Sequence, residues 1–398
     1  MRTAVILVTG QEGTAAVSHE LLQRPGTLLI EHHVDGNVVL RRVVTVQHGV
    51  VTTAQQALEL QHGCLSCTVR NDLLMLLRRM SRRREVERVV VRLAPWLEPE
   101  PICWAIHHVR VTAPGFEPGP AARDVEITAV ITTVDEIVWL PDALGDEELP
   151  DGRTVAQVVV AQTEFADVLV CGQPPAQLTE VITRLNPRAR VIANADAVED
   201  ALRRLPAGSR RGRSDDPHDS LLAGLPPLHA AEAVQLFEFH AQRPFHPERL
   251  HDALDTLLDG VIRSRGRLWL ASNNRHVMWL ESAGGGLRVS SAGPWLAAMS
   301  ASELAYADAE RRALSGAFWS DRHGDRHTAL VVLACGADPD AIREALRGAL
   351  LTEDEMSDPS MWPSLNDPFG DWHHDPCTEP VTAQIVSGES NENKGELR

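Results

Sequence analysis

The clearest chemistry in the chain sits on two nearby cysteines. The run Gln61-His62-Gly63-Cys64-Leu65-Ser66-Cys67-Thr68-Val69-Arg70-Asn71-Asp72-Leu73-Leu74 places a C-x-x-C at the opening of a helical pattern. Two thiolates at that spacing can clasp one Zn²⁺. A helix N-terminus favours thiolate, which suits metal binding and redox chemistry alike. Zinc contact, a redox pair and a pair with no special role all fit the spacing. Further candidate ligands are His62, His32, His33 and Ser66. A second metal-friendly cluster, His373, His374 and Cys377, lies in Trp372-His373-His374-Asp375-Pro376-Cys377. The other cysteines, Cys103, Cys171 and Cys335, are scattered, so no disulfide framework is expected and a reducing, cytoplasmic setting is.

A second place for chemistry is the turn after the first apolar run. A strand, a Gly-rich turn and a helix can cradle a nucleotide phosphate on backbone N–H groups. The working form is G-x-x-x-x-G-K-[ST], whose Lys reaches the outer phosphates and whose hydroxyl ligates Mg²⁺. Here the segment is Gly10-Gln11-Glu12-Gly13-Thr14-Ala15-Ala16-Val17-Ser18. Gly10 and Gly13 remain. Ala16 stands for the Lys and Val17 for the hydroxyl residue, and Glu12 adds negative charge beside the anion position. No substitute is at hand, because the 38 basic residues include a single lysine, Lys394. Phosphoryl transfer rests on positioning and charge neutralisation, so GTP/Mg²⁺ chemistry is expected to be weak or lost. No catalytic residue is assigned.

These residues need elements to hold them. Apolar or β-branched runs at 3–9, 27–31, 38–46, 87–93, 126–133, 167–171 and 191–194 read as strands. Helical patterns cover 13–23, 68–82, 153–164 and 176–185, the last ending at Asn186-Pro187. Strands alternating with helices predict an α/β fold with a doubly wound, mainly parallel sheet over residues 1–205. Residues 206–229 read as a polar, Gly/Pro-rich linker. Residues 230–352 predict a smaller α+β domain. Its strands are expected at 233–240, 261–271, 276–281, 286–290 and 328–335, with helices at 247–258 and 339–350. An acidic tail, 353–398, is expected to be largely disordered.

Charge narrows the partners. The net charge is −17, and residues 351–398 hold eleven acidic and two basic residues. Bulk electrostatics therefore do not favour tight non-specific nucleic-acid binding, and no DNA partner is expected. Two basic stretches stand out, Arg78 to Arg84 and Arg210 to Arg213. A solvated helix face and a flexible loop are the plain readings, an anionic partner the other. No apolar run reaches the roughly 18 residues of a membrane span, and no signal peptide is read at the N-terminus.

The chain resembles the CobW-like family of P-loop GTPases and metallochaperones. Gly63 to Leu74 is similar to the family's Gly-Cys-x-Cys-Cys segment, with Ser66 at the middle Cys. Ile127 to Asp135, Gln157 to Val170 and Leu185-Asn186-Pro187-Arg188-Ala189 resemble its later strands and turn. Arg243 to Leu250, Gly260 to Gly266 with Trp269, and Leu350 to Glu355 resemble its C-terminal domain. The departures fall where chemistry would be. The family's Glu-x-x-Gly corresponds to Arg92-Leu93-Ala94-Pro95, and its guanine-reading Asn-Lys-x-Asp to Gly172-Gln173-Pro174-Pro175. The resemblance implies Zn²⁺ as the ligand. Length, the Gly-Cys-Leu-Ser-Cys form and the arginine-rich composition resemble an actinobacterial, mycobacterial branch of the family. That branch implies a regulator that recruits a ribosome hibernation factor to the small (30S) ribosomal subunit in zinc limitation. A zinc metallochaperone with residual GTP hydrolysis and a non-binding scaffold are the alternatives.

Overall fold

A computed structural model describes residues 2–36, 38–47, 50–60, 64–112, 115–222 and 224–369. The first sheet holds eight strands: β1 (Thr3–Thr9), β2 (Thr27–Asp35), β3 (Val38–Gln47), β4 (Val50–Leu58), β5 (Arg88–Arg92), β6 (Val125–Thr133), β7 (Val168–Val170) and β8 (Arg190–Ile192), in the order β4-β3-β2-β5-β1-β6-β7-β8. The six strands from β2 to β8 in that order are parallel, while β3 and β4 extend the edge as an antiparallel hairpin. The central strands are apolar on both faces because helices cover both. The helices are α1 (Thr14–Leu22), α2 (Leu65–Met80), α3 (Pro99–His108), α4 (Trp139–Leu144), α5 (Val155–Phe165), α6 (Ala176–Leu185) and α7 (Val198–Arg203). The doubly wound fold is thus present. Strand order reverses at β1, which puts a crevice at the carboxyl ends of β1 and β5, where such sheets take ligands. The hairpin partner β4 and helix α3 were not read from sequence.

The second unit is a five-stranded antiparallel sheet of β9 (Val234–Ala241), β10 (Val261–Leu268), β11 (His276–Ala283), β12 (Gly286–Pro294) and β13 (Thr328–Cys335), in the order β12-β11-β10-β13-β9. With it go α8 (Pro247–Ala253), α9 (Ala301–Tyr306), α10 (Ala309–Ala317), α11 (Pro339–Ala349) and α12 (Glu353–Ser357). The expected helix 247–258 ends its α-helical part at Ala253 and finishes as a 3₁₀ turn over Leu254–Leu257.

The two units share a core. Leu169, Leu178, Val181 and Ile182 of the first pack with Leu236, Ile262, Val331 and Leu333 of the second. The turn between β11 and β12 presses on the α4–α5 connection so closely that a Cβ on Gly284 would lie 2.4 Å from the Gly145 carbonyl oxygen. Ion pairs cross the same boundary. Glu164 of α5 accepts Arg263 at 3.0 Å and Arg265 at 2.8 Å.

Two expectations change here. The linker is pinned where it was expected to be free. Arg267 donates to the carbonyls of Pro217 (2.8 Å) and Asp219 (2.9 Å). The Asp167 carboxylate accepts the Arg211 N–H at 3.0 Å. Arg210, expected on a flexible loop, is largely buried through its side chain and pairs with Asp215 at 2.7 Å. Buried guanidinium groups need such partners. The expected tail also begins with structure. Residues 353–369 fold back on the second sheet, where Met356 and Trp362 join Trp269 and Trp295 in one apolar cluster. Among the described residues no helix is long and apolar enough to cross a membrane.

Candidate functional site

Cys64 is the N-cap of α2, with an extended backbone, and its Sγ accepts the Cys67 N–H at 3.1 Å. Sulfur here does what a Ser or Asp oxygen does at most N-caps. The Thr68 hydroxyl closes the first turn on the Cys64 carbonyl at 2.8 Å. Both cysteines are half-buried. The hydrogen bond from Cys67 brings the Cys64 sulfur to the backbone of Cys67, so both cysteines sit at one helix start.

The helix is fixed to the sheet by a polar relay that sequence reading missed. Asp72, two turns into α2, accepts His32 Nε2 of β2 at 2.8 Å, and its other oxygen takes Arg41 of β3. Arg41 also reaches Gln56 of β4. His32, a candidate ligand from sequence, is thereby engaged in holding α2. His33 is exposed and lines a cavity of about 480 Å³ with Glu31, Arg42, Gln55 and Arg92. Glu31 sits between two guanidinium groups, Arg92 at 2.8 Å and Arg42 at 3.1 Å. Arg92 holds the place where the resemblance expects a glutamate, so the end of β5 carries positive charge instead of negative.

His62 lies outside the described residues, as do His373, His374 and Cys377. Among the described residues no group of three or more His, Cys, Asp or Glu is placed to hold a metal. The described donors for zinc are therefore two soft thiols on a helix N-terminus. Two thiolates supply half of a four-coordinate zinc site.

The phosphate loop lacks the side chains that would hold a triphosphate. Helix α1 starts at Thr14 with Gly13 as N-cap, and the Ala16 and Val17 N–H groups turn back onto the Gly13 carbonyl. Val17 is buried in the core, and Ala16 is exposed without a charge to offer. The loop is strapped to β6, because the Thr133 hydroxyl donates to the Glu12 carbonyl. A Cβ on Gly10 would lie 2.1 Å from that hydroxyl oxygen. Gln11 donates to the Pro95 carbonyl at 3.0 Å and to Gln162 at 3.3 Å. On the side of Gln11 and Thr133 the adjoining cavity is about 10 Å³, room for about one water, whereas the cavity of about 480 Å³ lined by His33 and Arg92 also reaches Thr14 at the start of α1. At the expected guanine loop the Gly172 N–H donates to Glu136 at 3.2 Å. Burial, then Glu136 and Asp135, push the neighbouring Cys171 thiol up to about 11, which keeps it protonated. The double change Ala16→Lys with Val17→Thr is accordingly expected not to confer GTP hydrolysis. It should lower stability by about 1–3 kcal/mol, since the new hydroxyl enters an apolar core. A phosphate-release assay beside urea unfolding checks both parts.

Fold and site together define a P-loop-type α/β domain with a thiol pair and a phosphate loop that has Ala16 and Val17 at its Lys and hydroxyl positions, joined to an antiparallel C-terminal domain. The chain belongs to the CobW/HypB/UreG family. The model of that family's nucleotide-binding domain matches residues 29–193, and that of the cobalamin synthesis protein CobW C-terminal domain matches residues 234–350. The chain is 58% identical over 400 residues to a zinc chaperone of Mycobacterium tuberculosis, with 100% of each chain covered. It is 24% identical over 356 residues to the zinc-regulated GTPase metalloprotein activator 1 of Dictyostelium discoideum, covering 82% of this chain and 73% of that one. Among solved structures it is similar to the Zn(II)-bound YjiA GTPase from E. coli. That match has a TM-score of 0.38 and 14% identity and covers 88% of this chain and 100% of that one.

Proposed function

We propose that this chain handles Zn²⁺ in metal homeostasis through Cys64 and Cys67, without a nucleotide cycle. One observation carries the reading. Two thiols open α2, the His32–Asp72–Arg41 relay fixes that helix, and the described donors leave the metal's other positions open. A thiol pair at a helix start can take zinc up and pass it on, which makes zinc cargo or signal in this reading. The names of the relatives, a zinc chaperone and a zinc-regulated GTPase, support the same ligand.

The test is calorimetric titration of metal-free protein with zinc, alone and with GTP, on the native chain and on Cys64→Ser and Cys67→Ser. The native chain should bind zinc tightly with or without GTP. Each variant should lose that binding while its unfolding free energy holds within about 0.5 kcal/mol, because half-buried thiols contribute little packing. Serine also keeps the cap at position 64. Zinc binding that requires GTP would restore the GTPase-chaperone reading, and no zinc binding would leave a scaffold.

A finer reading concerns the output. The missing Lys and hydroxyl at Ala16 and Val17 favour an adaptor over GTP-driven delivery. By branch resemblance the adaptor brings a ribosome hibernation factor to the small ribosomal subunit when zinc is scarce. The same zinc-free and zinc-loaded preparations, mixed with small subunits and the factor, test it. Recruitment by the zinc-free form alone supports the reading, and none in either form removes it.

A further inference from the structure

Helix α2 carries cysteines at its first turn and arginines at its last. Its 16 residues set the two ends about 24 Å apart. Residues 78–87 hold five arginines and two glutamates on a chain of net charge −17. Arg78 is buried and structural. It donates to the Asp124 carboxylate at 2.6 Å and to the carbonyls of Val111, Glu117 and Gly119 at 3.2, 2.9 and 3.2 Å. This ties the end of α2 to the segment before β6. Beyond the helix two turns follow, Arg83 N–H to Met80 O and Val86 N–H to Arg83 O, each 3.0 Å. Met80 and Val86 are buried, so the turn is anchored at both ends.

What the turn displays is charge. Arg79, Arg82, Arg83 and Arg84 are exposed, and among the described residues none of the four forms an ion pair. The Arg82 guanidinium carbon lies 3.6 Å from the centroid of the Phe116 ring and the group donates to the Gly115 carbonyl at 2.5 Å, which together fix its plane on an exposed side chain. The helix dipole accounts for a cation at Arg79 but fades within the last turn. It does not account for Arg82, Arg83 and Arg84.

We propose that this anchored arginine turn is a docking surface for the phosphate backbone of a folded RNA. A guanidinium fork matches phosphate geometry and stacks on rings, which a lysine does not. Among residues 78–90 no large apolar side chain is exposed, so nothing is there to enter a lipid surface. Within α2 Arg79 alone is exposed, so this helix has no free face to lie in the major groove of duplex DNA. The surface reads phosphates and shape, which is how structured RNA is most often held. It does not depend on the zinc reading.

The test uses the full chain and a short fluorescein-labelled RNA hairpin, followed by anisotropy across a salt series. Comparison arms are a DNA duplex of equal length, a poly-glutamate peptide and phosphatidylserine vesicles. Arg82→Gln, Arg83→Gln and Arg84→Gln combined should weaken RNA binding at least tenfold. The slope of log affinity against log salt should fall by about two to three, one phosphate contact per arginine. The matching triple change to lysine should keep that slope, and zinc titration of the glutamine variant should match the native chain. The proposal is overturned if the native chain does not bind the hairpin. It is equally overturned if the glutamine variant binds unchanged, or if any comparison arm binds as tightly as RNA.

Discussion

Glu164→Ala is expected to destabilise the whole chain by about 3–5 kcal/mol, the usual result of removing one member of a buried ion-pair network. Glu164 is almost fully buried and holds Arg263 and Arg265, and Arg263 also meets Glu281 at 3.0 Å. Its loss would leave Arg265 with the Leu221 carbonyl as its remaining acceptor. Because both units contribute to one core, urea unfolding should stay a single transition and shift as a whole. A change under about 1 kcal/mol would mean that the apolar core at Leu178, Leu236 and Leu333 holds the units together unaided.

The same residue sets a pH dependence. Burial alone would raise the Glu164 carboxyl, but Arg263, Arg265 and Arg210 outweigh it and hold the group below the ordinary carboxylate range. A folded value below the unfolded one stabilises the fold above the unfolded pKa, about 4.3 for glutamate. That stabilisation is lost as pH falls through the folded value. The gap in stability between native chain and Glu164→Ala should therefore be full at neutral pH and shrink below pH of about 4. A gap that widened in acid would contradict the assigned direction.

What could be read from sequence was local, and what could not was long-range. The thiol pair, its place at a helix start and the loss of Lys and hydroxyl at Ala16 and Val17 are each visible within ten residues. The relay that positions them is not, since His32 and Asp72 lie 40 residues apart. Nor is the exchange of charge at Arg92, whose partner Glu31 sits on the neighbouring strand. One signal was available. Arg263, Arg265 and Arg267 alternate along a strand otherwise destined for burial, and a buried row of guanidinium groups requires carboxylates or carbonyls opposite. Strand β4 escaped because its sequence, Val-Val-Thr-Thr-Ala-Gln-Gln-Ala-Leu, shows no alternation. It is an edge strand exposed over most of its length, so no periodicity was imposed on it.

Trp362→Ala is expected to lower stability by about 3–5 kcal/mol, as for other buried aromatics cut to alanine. The indole is 3% exposed and meets Trp269 edge-on, ring centroids 6.1 Å apart. Its N–H donates to the Glu355 carbonyl at 2.9 Å. Glu355 in turn caps α12 through the Thr352 N–H at 2.7 Å and pairs with Arg249 at 2.6 Å. The Arg249 guanidinium and the Thr352 cap hold its carboxyl down to about 2. The acidic residues that made this segment look like a disordered tail are thus helix-capping and ion-pairing groups of the second unit. Composition counts such carboxylates as solvated charge, because it cannot distinguish a cap from a free side chain. Ending the chain after residue 352 should then be at least as harmful as Trp362→Ala, since it also uncovers Trp269. Urea unfolding of both variants, with near-ultraviolet circular dichroism for the tryptophan cluster, measures this directly. If the shortened chain unfolds like the native one, the cluster contributes nothing and the second unit ends at Leu351.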